Sequence, residues 1–223
     1  MLRHTTIWVL AAGLAAGCGG RAELEPGPGA QPAPPGPGGG AATTVDGVTV
    51  VARTEAWSGF PTRLEEVTPV QVTIENESGR PLRVRYERIV LAAPTGQSYR
   101  AIPPFDVRGR ERERVDGFRR DGFFVAPHLR RYYPRARFYD GYFPYDPFYY
   151  DRYYPAFVDV NLPTGDMIQK ALPEGVLMPG SRITGFLYFE NVDDDLPRVD
   201  MRMELVDAST GERYGVATIP FTV

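Results

Sequence analysis

The clearest pattern in this chain is the alternation of apolar and polar residues between positions 67 and 99. The stretches 70–74 and 82–86 both alternate in this way, and a cluster of turn-forming residues at 76–81 separates them. Because successive side chains of a strand point to opposite faces, each stretch has one apolar and one polar face. The pattern therefore predicts two half-buried strands, whose sheet is covered on its apolar face by a second sheet.

Similar patterns recur along the chain. Strands are predicted at 45–53, 89–91, 99–102, 157–160, 183–189, 199–205 and 214–223, and residues 89–102 are expected to form a hairpin or a bent continuation of one strand. Nearly every residue of 183–189 is apolar, which predicts a central strand that is covered on both faces. Asp166 is expected to cap a short helix that Pro173 ends. Seven or eight short strands between turns predict an all-β protein, specifically a β-sandwich.

The pattern over 45–106 and 156–223 resembles the immunoglobulin-like domains of bacterial surface lipoproteins. The phrases I-E-N-E-S-G-R-P-L-R-V and L-P-E-G-V-L-M-P-G-S contribute to this resemblance. It implies an immunoglobulin-like β-sandwich over 45–223, interrupted by a long insertion. It implies no functional residues, because such domains serve many activities.

The N-terminus has the pattern of an export signal. A basic start precedes an apolar run of about ten residues, which is too short to span a bilayer. The run ends in L-A-A-G-C at Cys18, the single cysteine of the chain. This ending resembles the lipobox of bacterial lipoproteins, although the leucine stands four residues before the cysteine rather than three. The alternative is a secretory signal with an incidental cysteine.

The lipobox resemblance implies an anchored protein. Residues 1–17 would be a signal peptide, the Cys18 sulfur would carry diacylglycerol, and the new amino group would be acylated, for example with palmitate. Two or three acyl chains would hold the protein at the membrane almost permanently. In the lipoproteins that the sequence resembles, an aspartate after the cysteine often signals inner-membrane retention, so the resemblance implies that Gly19 favours the outer membrane. The expected location is therefore the bacterial envelope, at the periplasmic or the surface face.

Proline and glycine dominate the next segment, and large apolar residues are nearly absent from it. Residues 18–44 are therefore predicted to form a disordered linker. A flexible coil of ~24 residues has a root-mean-square span of ~27 Å. The folded domain would then stand away from the membrane.

The strand pattern breaks at 106–155. Residues 106–154 contain eleven arginines, nine of the thirteen tyrosines of the chain and eight acids, which gives a charge of +3. The first part is rich in charged residues and the part after residue 130 is rich in aromatic residues. Because glycine and proline interrupt the segment, no long helix or strand is expected in it.

This insertion is the candidate binding segment. Tyrosine and arginine dominate binding hot spots, aromatic faces suit sugar rings, and guanidinium groups pair with phosphate or carboxylate. The alternative is a low-complexity insert whose arginines pair with local acids and stack on tyrosine. The candidate binding residues are Arg130, Arg131, Tyr132, Tyr133, Tyr142, Tyr145, Tyr149, Tyr150, Tyr153 and Tyr154.

Several function classes have little support. The net charge of −3 argues against nucleic-acid binding. One cysteine and two histidines offer little for a transition-metal site or an activated nucleophile. The acids at 193–195 do not have the spacing of an EF-hand loop, and Met201 and Met203 are expected to pack in the core. The prediction is a protein that is not an enzyme and has no cofactor or bound metal.

The sequence thus favours a binding or scaffold lipoprotein that presents its insertion to an envelope glycan, to lipopolysaccharide or to a protein. The alternative is a structural or assembly component that pairs through a sheet edge, with the insertion passive. A hydrolase that uses a pair of carboxylates is the third hypothesis.

Overall fold

A computed structural model describes residues 23–115 and 156–223. Cys18 and all ten candidate binding residues lie outside these ranges. The strands are β1 Glu25–Pro26, β2 Gln31–Pro32, β3 Gly40–Val45, β4 Val48–Arg53, β5 Val67–Asn76, β6 Leu82–Val84, β7 Ile89–Ala92, β8 Ser98–Ile102, β9 Arg110–Val115, β10 Ala156–Asn161, β11 Gly175–Leu177, β12 Ser181–Glu190, β13 Arg198–Asp207 and β14 Arg213–Thr222. A 3-10 turn covers Tyr86–Arg88, and the helix α1 covers Gly165–Lys170.

Most of these strands form one antiparallel sheet that is nearly closed. Its order is β1-β14-β13-β7-β8-β12-β5-β4-β3-β2, and β6 pairs with both β13 and β11. β8 pairs with β7 on one side and with β12 on the other, so it joins the two halves of the sheet. On the far side β14 lies close to β3. The prediction of an all-β protein is confirmed.

The interior is divided between two hydrophobic clusters, and β12 separates them. Leu187 and Phe189 belong to the main core, which the two halves of the sheet enclose. Phe186 and Tyr188, on the other face of the same strand, belong to a second cluster beside α1. The prediction that 183–189 is covered on both faces is therefore confirmed for 185–189, whereas Thr184 is exposed.

The two strands that open the sequence pattern lie in different halves of the sheet. β5 pairs with β12 and β4, whereas β6 pairs with β11 and β13. They therefore cover one core from two sides and do not pair with each other. The predicted hairpin at 89–102 is confirmed, because β7 and β8 pair in antiparallel register.

The stretch 45–53 does not form the single strand that the pattern predicted. β3 and β4 form a hairpin that turns at Asp46 and Gly47, where φ is 47° and 77°. An Asp-Gly pair is a strong signal for this tight turn, because both of its residues need positive φ. The folded domain therefore begins before position 45, because it includes β3.

The proline- and glycine-rich segment is also packed rather than disordered from Leu24 onward. Leu24 is 3% exposed, and its carbonyl accepts a 2.5 Å hydrogen bond from the Thr54 hydroxyl. Glu25 pairs with Thr222, and Gly27 N lies 2.9 Å from Pro220 O. Strand pairing uses backbone groups and edge strands tolerate proline, so a segment poor in apolar side chains still joins the sheet. The predicted disordered linker at 18–44 is therefore wrong for residues 24–44.

Candidate functional site

The insertion begins and ends in a two-stranded ribbon. β9 and β10 pair in antiparallel register, with Val115 opposite Ala156 and Arg110 opposite Asn161. β9 is a six-residue strand that was not predicted within 106–155, and the alternation R-E-R-E-R at 110–114 accounts for it. A strand places the glutamates on one face and the arginines on the other.

The glutamate face is buried against the loop 54–66, which joins β4 to β5. Glu113 is 7% exposed and accepts hydrogen bonds from the Thr62 amide at 3.0 Å and the Thr62 hydroxyl at 2.8 Å. Glu111 is 4% exposed and accepts from the amides of Glu65 at 2.6 Å and Glu66 at 2.8 Å. We call these four hydrogen bonds the carboxylate clamp. Hydrogen bonds to an ionised acceptor are stronger than neutral ones, so the clamp fixes the ribbon on the domain.

The environment of Glu111 sets its ionisation. Burial raises the pKa of its carboxyl above the ordinary value, and the nearby charges of Glu65 and Glu66 raise it further. The amide hydrogen bonds from these two residues act in the opposite direction and lower the pKa. Because burial is the largest of these effects, ionised Glu111 is held at a cost to stability.

The arginine face of the ribbon is exposed. Arg110, Arg112 and Arg114 lie on it, and the guanidinium of Arg112 is 4.7 Å from the centre of the Phe157 ring. Phe157 is itself 46% exposed, and Asp159, the acid on this face, lies opposite Arg112. Three guanidiniums and an aromatic ring therefore face solvent at the base of the insertion.

The second hydrophobic cluster supports the ribbon and the loop. Trp57 makes edge contacts with Phe186 at 5.1 Å and Tyr188 at 6.1 Å between ring centres, and its indole N–H donates to Pro61 O at 2.9 Å. Val107 and Leu162, which flank the ribbon, are buried in the same cluster. The ribbon therefore stands on packed side chains.

Helix α1 holds the tip of the loop. Thr164 is its N-cap and accepts from Met167 N at 3.4 Å, so the prediction of Asp166 as the cap is wrong. Asp166 instead accepts from the Phe60 amide at 2.8 Å, and the Thr164 hydroxyl donates to Phe60 O at 2.6 Å. Threonine is also a preferred N-cap residue, and Asp166 is already the second residue of the helix, so it cannot be the cap.

A hollow of about 180 Å³ lies at the opposite end of the domain. Its lining residues are Arg83, Arg85, Glu87, Arg88, Val206 and Gly211. Arg88 is bound to Glu204 at 2.6 Å, and Arg83 donates to Ala208 O at 2.7 Å. Two of its three arginines therefore have structural roles.

Other candidates from the sequence have structural roles where they are described. Asp193 accepts from the Tyr99 hydroxyl at 2.9 Å and from Gln97 at 2.7 Å. Met201 and Met203 are each 1% exposed in the core, as predicted. Within 23–115 and 156–223, no group of three acids, histidines or cysteines is placed to hold a metal ion. In the same ranges, no helix is long and apolar enough to cross a membrane.

The clamp residues Glu111 and Glu113 were not among the residues that the sequence singled out. The available signal was the strict alternation of charge at 110–114, which indicates a strand with a glutamate face.

No family model, no curated protein and no solved structure matches this chain.

Proposed function

We propose that this protein is a lipid-anchored lipoprotein of the bacterial envelope, held at the outer membrane through acylated Cys18. Its domain, an immunoglobulin-like β-sandwich, acts as a non-catalytic binding or scaffold module. The L-A-A-G-C ending of the apolar N-terminal run supports the anchor. Two halves of one sheet around a shared core support the sandwich.

The carboxylate clamp is the observation that carries the binding role. Both ends of the segment 116–155 are joined to paired strands, and Glu111 and Glu113 bury two carboxylates to hold those strands in place. A passive insert needs no fixed base, whereas a binding element gains affinity when its base is preorganised. The segment supplies the residue types of binding hot spots, with Tyr132 and Tyr153 among the ten candidates.

The partner classes that fit this composition are an envelope glycan, lipopolysaccharide or an envelope protein. The test replaces residues 116–155 by Asn-Gly, which joins β9 to β10 through a two-residue turn. Crosslinking from intact cells compares this variant with the full chain. We expect the crosslinked partner to be lost while the thermal unfolding transition is retained. Retained crosslinking by a folded variant would contradict the binding role.

A second variant keeps the segment and changes only its chemistry. The ten candidate arginines and tyrosines are replaced by serine, and ten exposed residues elsewhere in the domain are replaced in a control. Loss of the partner in the first variant alone would assign binding to those side chains.

The anchor has its own test. Cells supplied with radiolabelled palmitate should label the wild-type chain and leave the Cys18→Ser chain unlabelled. The serine variant should also accumulate in unprocessed form and leave the outer-membrane fraction. Equal labelling and fractionation of both chains would rule out this anchor.

One observation favours the alternative role in assembly through a sheet edge. β14 pairs with β13 along its length, but its other side pairs with β1 only at Pro26 and Glu25. Among the described strands, the rest of this side has no ladder partner but lies close to β3, so an incoming strand would have to displace β3. Val216 on β14 is 37% exposed. Edge strands of this kind accept strands from other chains. In that case Val216→Pro would abolish assembly and replacement of 116–155 would not.

A further inference from the structure

The anchored N-terminus and the insertion leave the domain at the same end. The loop 54–66 begins where β4 ends and finishes where β5 begins. Its first residue, Thr54, bonds the carbonyl of Leu24, and its residues Glu65 and Glu66 bond Glu111 at the base of the ribbon. One loop of the domain therefore holds both the start of the packed chain and the root of the insertion. We call this region the anchor end.

The chain between Cys18 and the domain is short. Leu24 is already buried, so only residues 19–23 separate it from Cys18. An extended chain spans at most ~3.5 Å per residue, which places Leu24 within about 20 Å of an acylated Cys18. If Cys18 is acylated as proposed above, on which this inference rests, the anchor end cannot move far from the bilayer surface.

The exposed side chains of the anchor end suit such a surface. Phe60, Phe105 and Phe157 are 47%, 66% and 46% exposed, and each belongs to the loop or to the segments that form and flank the ribbon. Phenylalanine is among the apolar residues by which interfacial segments enter the boundary between headgroups and acyl chains. No exposed phenylalanine occurs elsewhere among the described residues.

Cationic side chains accompany these rings. Arg110 and Arg112 lie on the exposed face of the ribbon, and Arg108 lies just before it. The carboxylates of Glu111 and Glu113 face the opposite way and are buried, so they do not neutralise this face. Asp159 is the one acid on it, whereas Glu25, Glu55, Glu65, Glu66 and Asp106 are exposed acids elsewhere at the anchor end. The charge of the ribbon face is therefore positive.

We propose that the arginine face of the ribbon, at the anchor end, binds the anionic lipid headgroups of the membrane that holds the anchor. Arg110 and Arg112 pair with headgroup phosphates, and Phe157 and Phe105 enter the interfacial layer. Basic side chains near a charged membrane are attracted to it within about a Debye length, which is ~8 Å at physiological ionic strength. Because a short chain joins the domain to the acylated cysteine, the contact with the membrane is effectively intramolecular. Individually weak contacts are then sufficient to hold the ribbon at the surface.

The test uses the mature chain from residue 18 with Cys18→Ser, so that no acyl chain contributes. Vesicles of phosphatidylcholine and phosphatidylglycerol in a ratio of ~7:3 are compared with pure phosphatidylcholine by cosedimentation. We expect binding to the anionic vesicles only, and loss of binding when added salt shortens the Debye length to ~3 Å. Equal binding to both kinds of vesicle, or binding to neither, would overturn the proposal.

Two double variants locate the surface. Arg110→Glu with Arg112→Glu should weaken vesicle binding at least ~10-fold, because each reversal replaces attraction by repulsion. The control is Arg85→Glu with Arg182→Glu, where the same charge change should leave binding intact. Arg85 lines the hollow at the opposite end, and Arg182 pairs with Glu75 near the end of β5 on that side. Phe157→Ser tests the aromatic part and should weaken binding with unchanged salt dependence. Similar losses in both double variants would refute a localised surface.

Soluble polygalacturonate serves as a competitor for a non-lipid source of anions. If it abolishes vesicle binding at equal charge concentration, the surface prefers an acidic glycan and the lipid assignment is wrong. All these measurements are independent of palmitate labelling. Failure of the headgroup proposal is therefore distinguishable from failure of the anchor.

Discussion

The carboxylate oxygen Oε1 of Glu111 lies 2.6 Å from the backbone nitrogen of Glu65, and the two residues are 46 positions apart in the chain. This contact joins the insertion to the loop that leads into β5. The same oxygen also accepts from the Glu66 amide at 2.8 Å, so one atom orders two consecutive amides. The attachment of the insertion therefore depends on a small number of buried polar atoms.

Removal of the Glu111 carboxylate should release the ribbon. Glu111→Leu leaves the amides of Glu65 and Glu66 without an acceptor, and an unsatisfied buried donor costs about 1–3 kcal/mol. We expect a lower Tm and faster hydrogen exchange at these two amides. Glu87→Leu, at a carboxylate with 70% side-chain exposure, is the control and should change stability by less than ~0.5 kcal/mol. Slow exchange at both amides in Glu111→Leu would show that the clamp is dispensable.

The stability of the clamp should depend on pH in a defined direction. Burial raises the pKa of Glu111 in the folded protein. The stability that Glu111 contributes is therefore fully present at pH values below the ordinary glutamate pKa, and it is lost as the pH rises through the raised pKa. Glu111→Gln keeps an oxygen acceptor and cannot ionise. Wild type should therefore lose stability relative to Glu111→Gln between acidic and neutral pH, measured by urea unfolding at each pH. A gain in relative stability over that interval would mean that the amide hydrogen bonds outweigh burial.

Gly185 should tolerate no side chain. A Cβ at this position would lie 2.5 Å from Leu172 N and 2.7 Å from Ala171 C, where the chain after α1 crosses β12. Gly185→Ala should destabilise the domain by about 1–3 kcal/mol or more, because packed backbone must move. Gly165→Ala is the matched control, since no atom lies within 4 Å of its Cβ and it is the first residue of α1. Equal melting temperatures for the two variants would contradict this packing.

Asn76 should be needed for the turns at the end of β5. It is fully buried, and its amide donates to Arg80 O at 2.9 Å and to Leu177 O at 2.8 Å. Asn76→Ala leaves two carbonyls and the Ser78 amide without this partner, which should cost about 2–4 kcal/mol. Thr44→Ala, which removes one exposed hydroxyl pair with Thr49, is the control. Denaturant unfolding of both variants tests the difference, and a loss below that of the control would refute it.

Leu24 should contribute to stability, although it lies in a segment with linker composition. Truncation of a buried leucine costs about 2–5 kcal/mol, and Leu24→Ala should fall at the low end because its surroundings are near an edge. Gln31→Ala, at an exposed position of β2, is the control. The measurement is thermal unfolding of the mature chain. An unchanged Tm in Leu24→Ala would contradict the packing of Leu24. It would support the longer disordered linker, which would let the domain stand farther from the membrane.

The pattern predicted correctly those features of the fold that depend on the polarity of neighbouring side chains. The apolar run of β12 indicated its two covered faces because burial on both sides is recorded directly in side-chain polarity. The D-G turn of the β3–β4 hairpin was also encoded locally, but the expected strand at 45–53 ran across Asp46 and Gly47. The packing of residues 24–44 could not be predicted from side-chain polarity, because this segment joins the sheet mainly through its backbone.

The amino-acid sequence by itself determined the β-rich character of the domain, the faces of its long strands and the compositional contrast of the insertion. The faces of the strands follow from the polarity of every second residue, because alternate side chains of a strand point to the same face. Only the tertiary structure decided that Glu111 meets Glu65, that β5 and β6 lie in different halves of the sheet, and that Leu24 and the ribbon share one end. Such relationships join residues far apart in the chain, and they arise because burial and hydrogen bonding are satisfied over the whole fold at once.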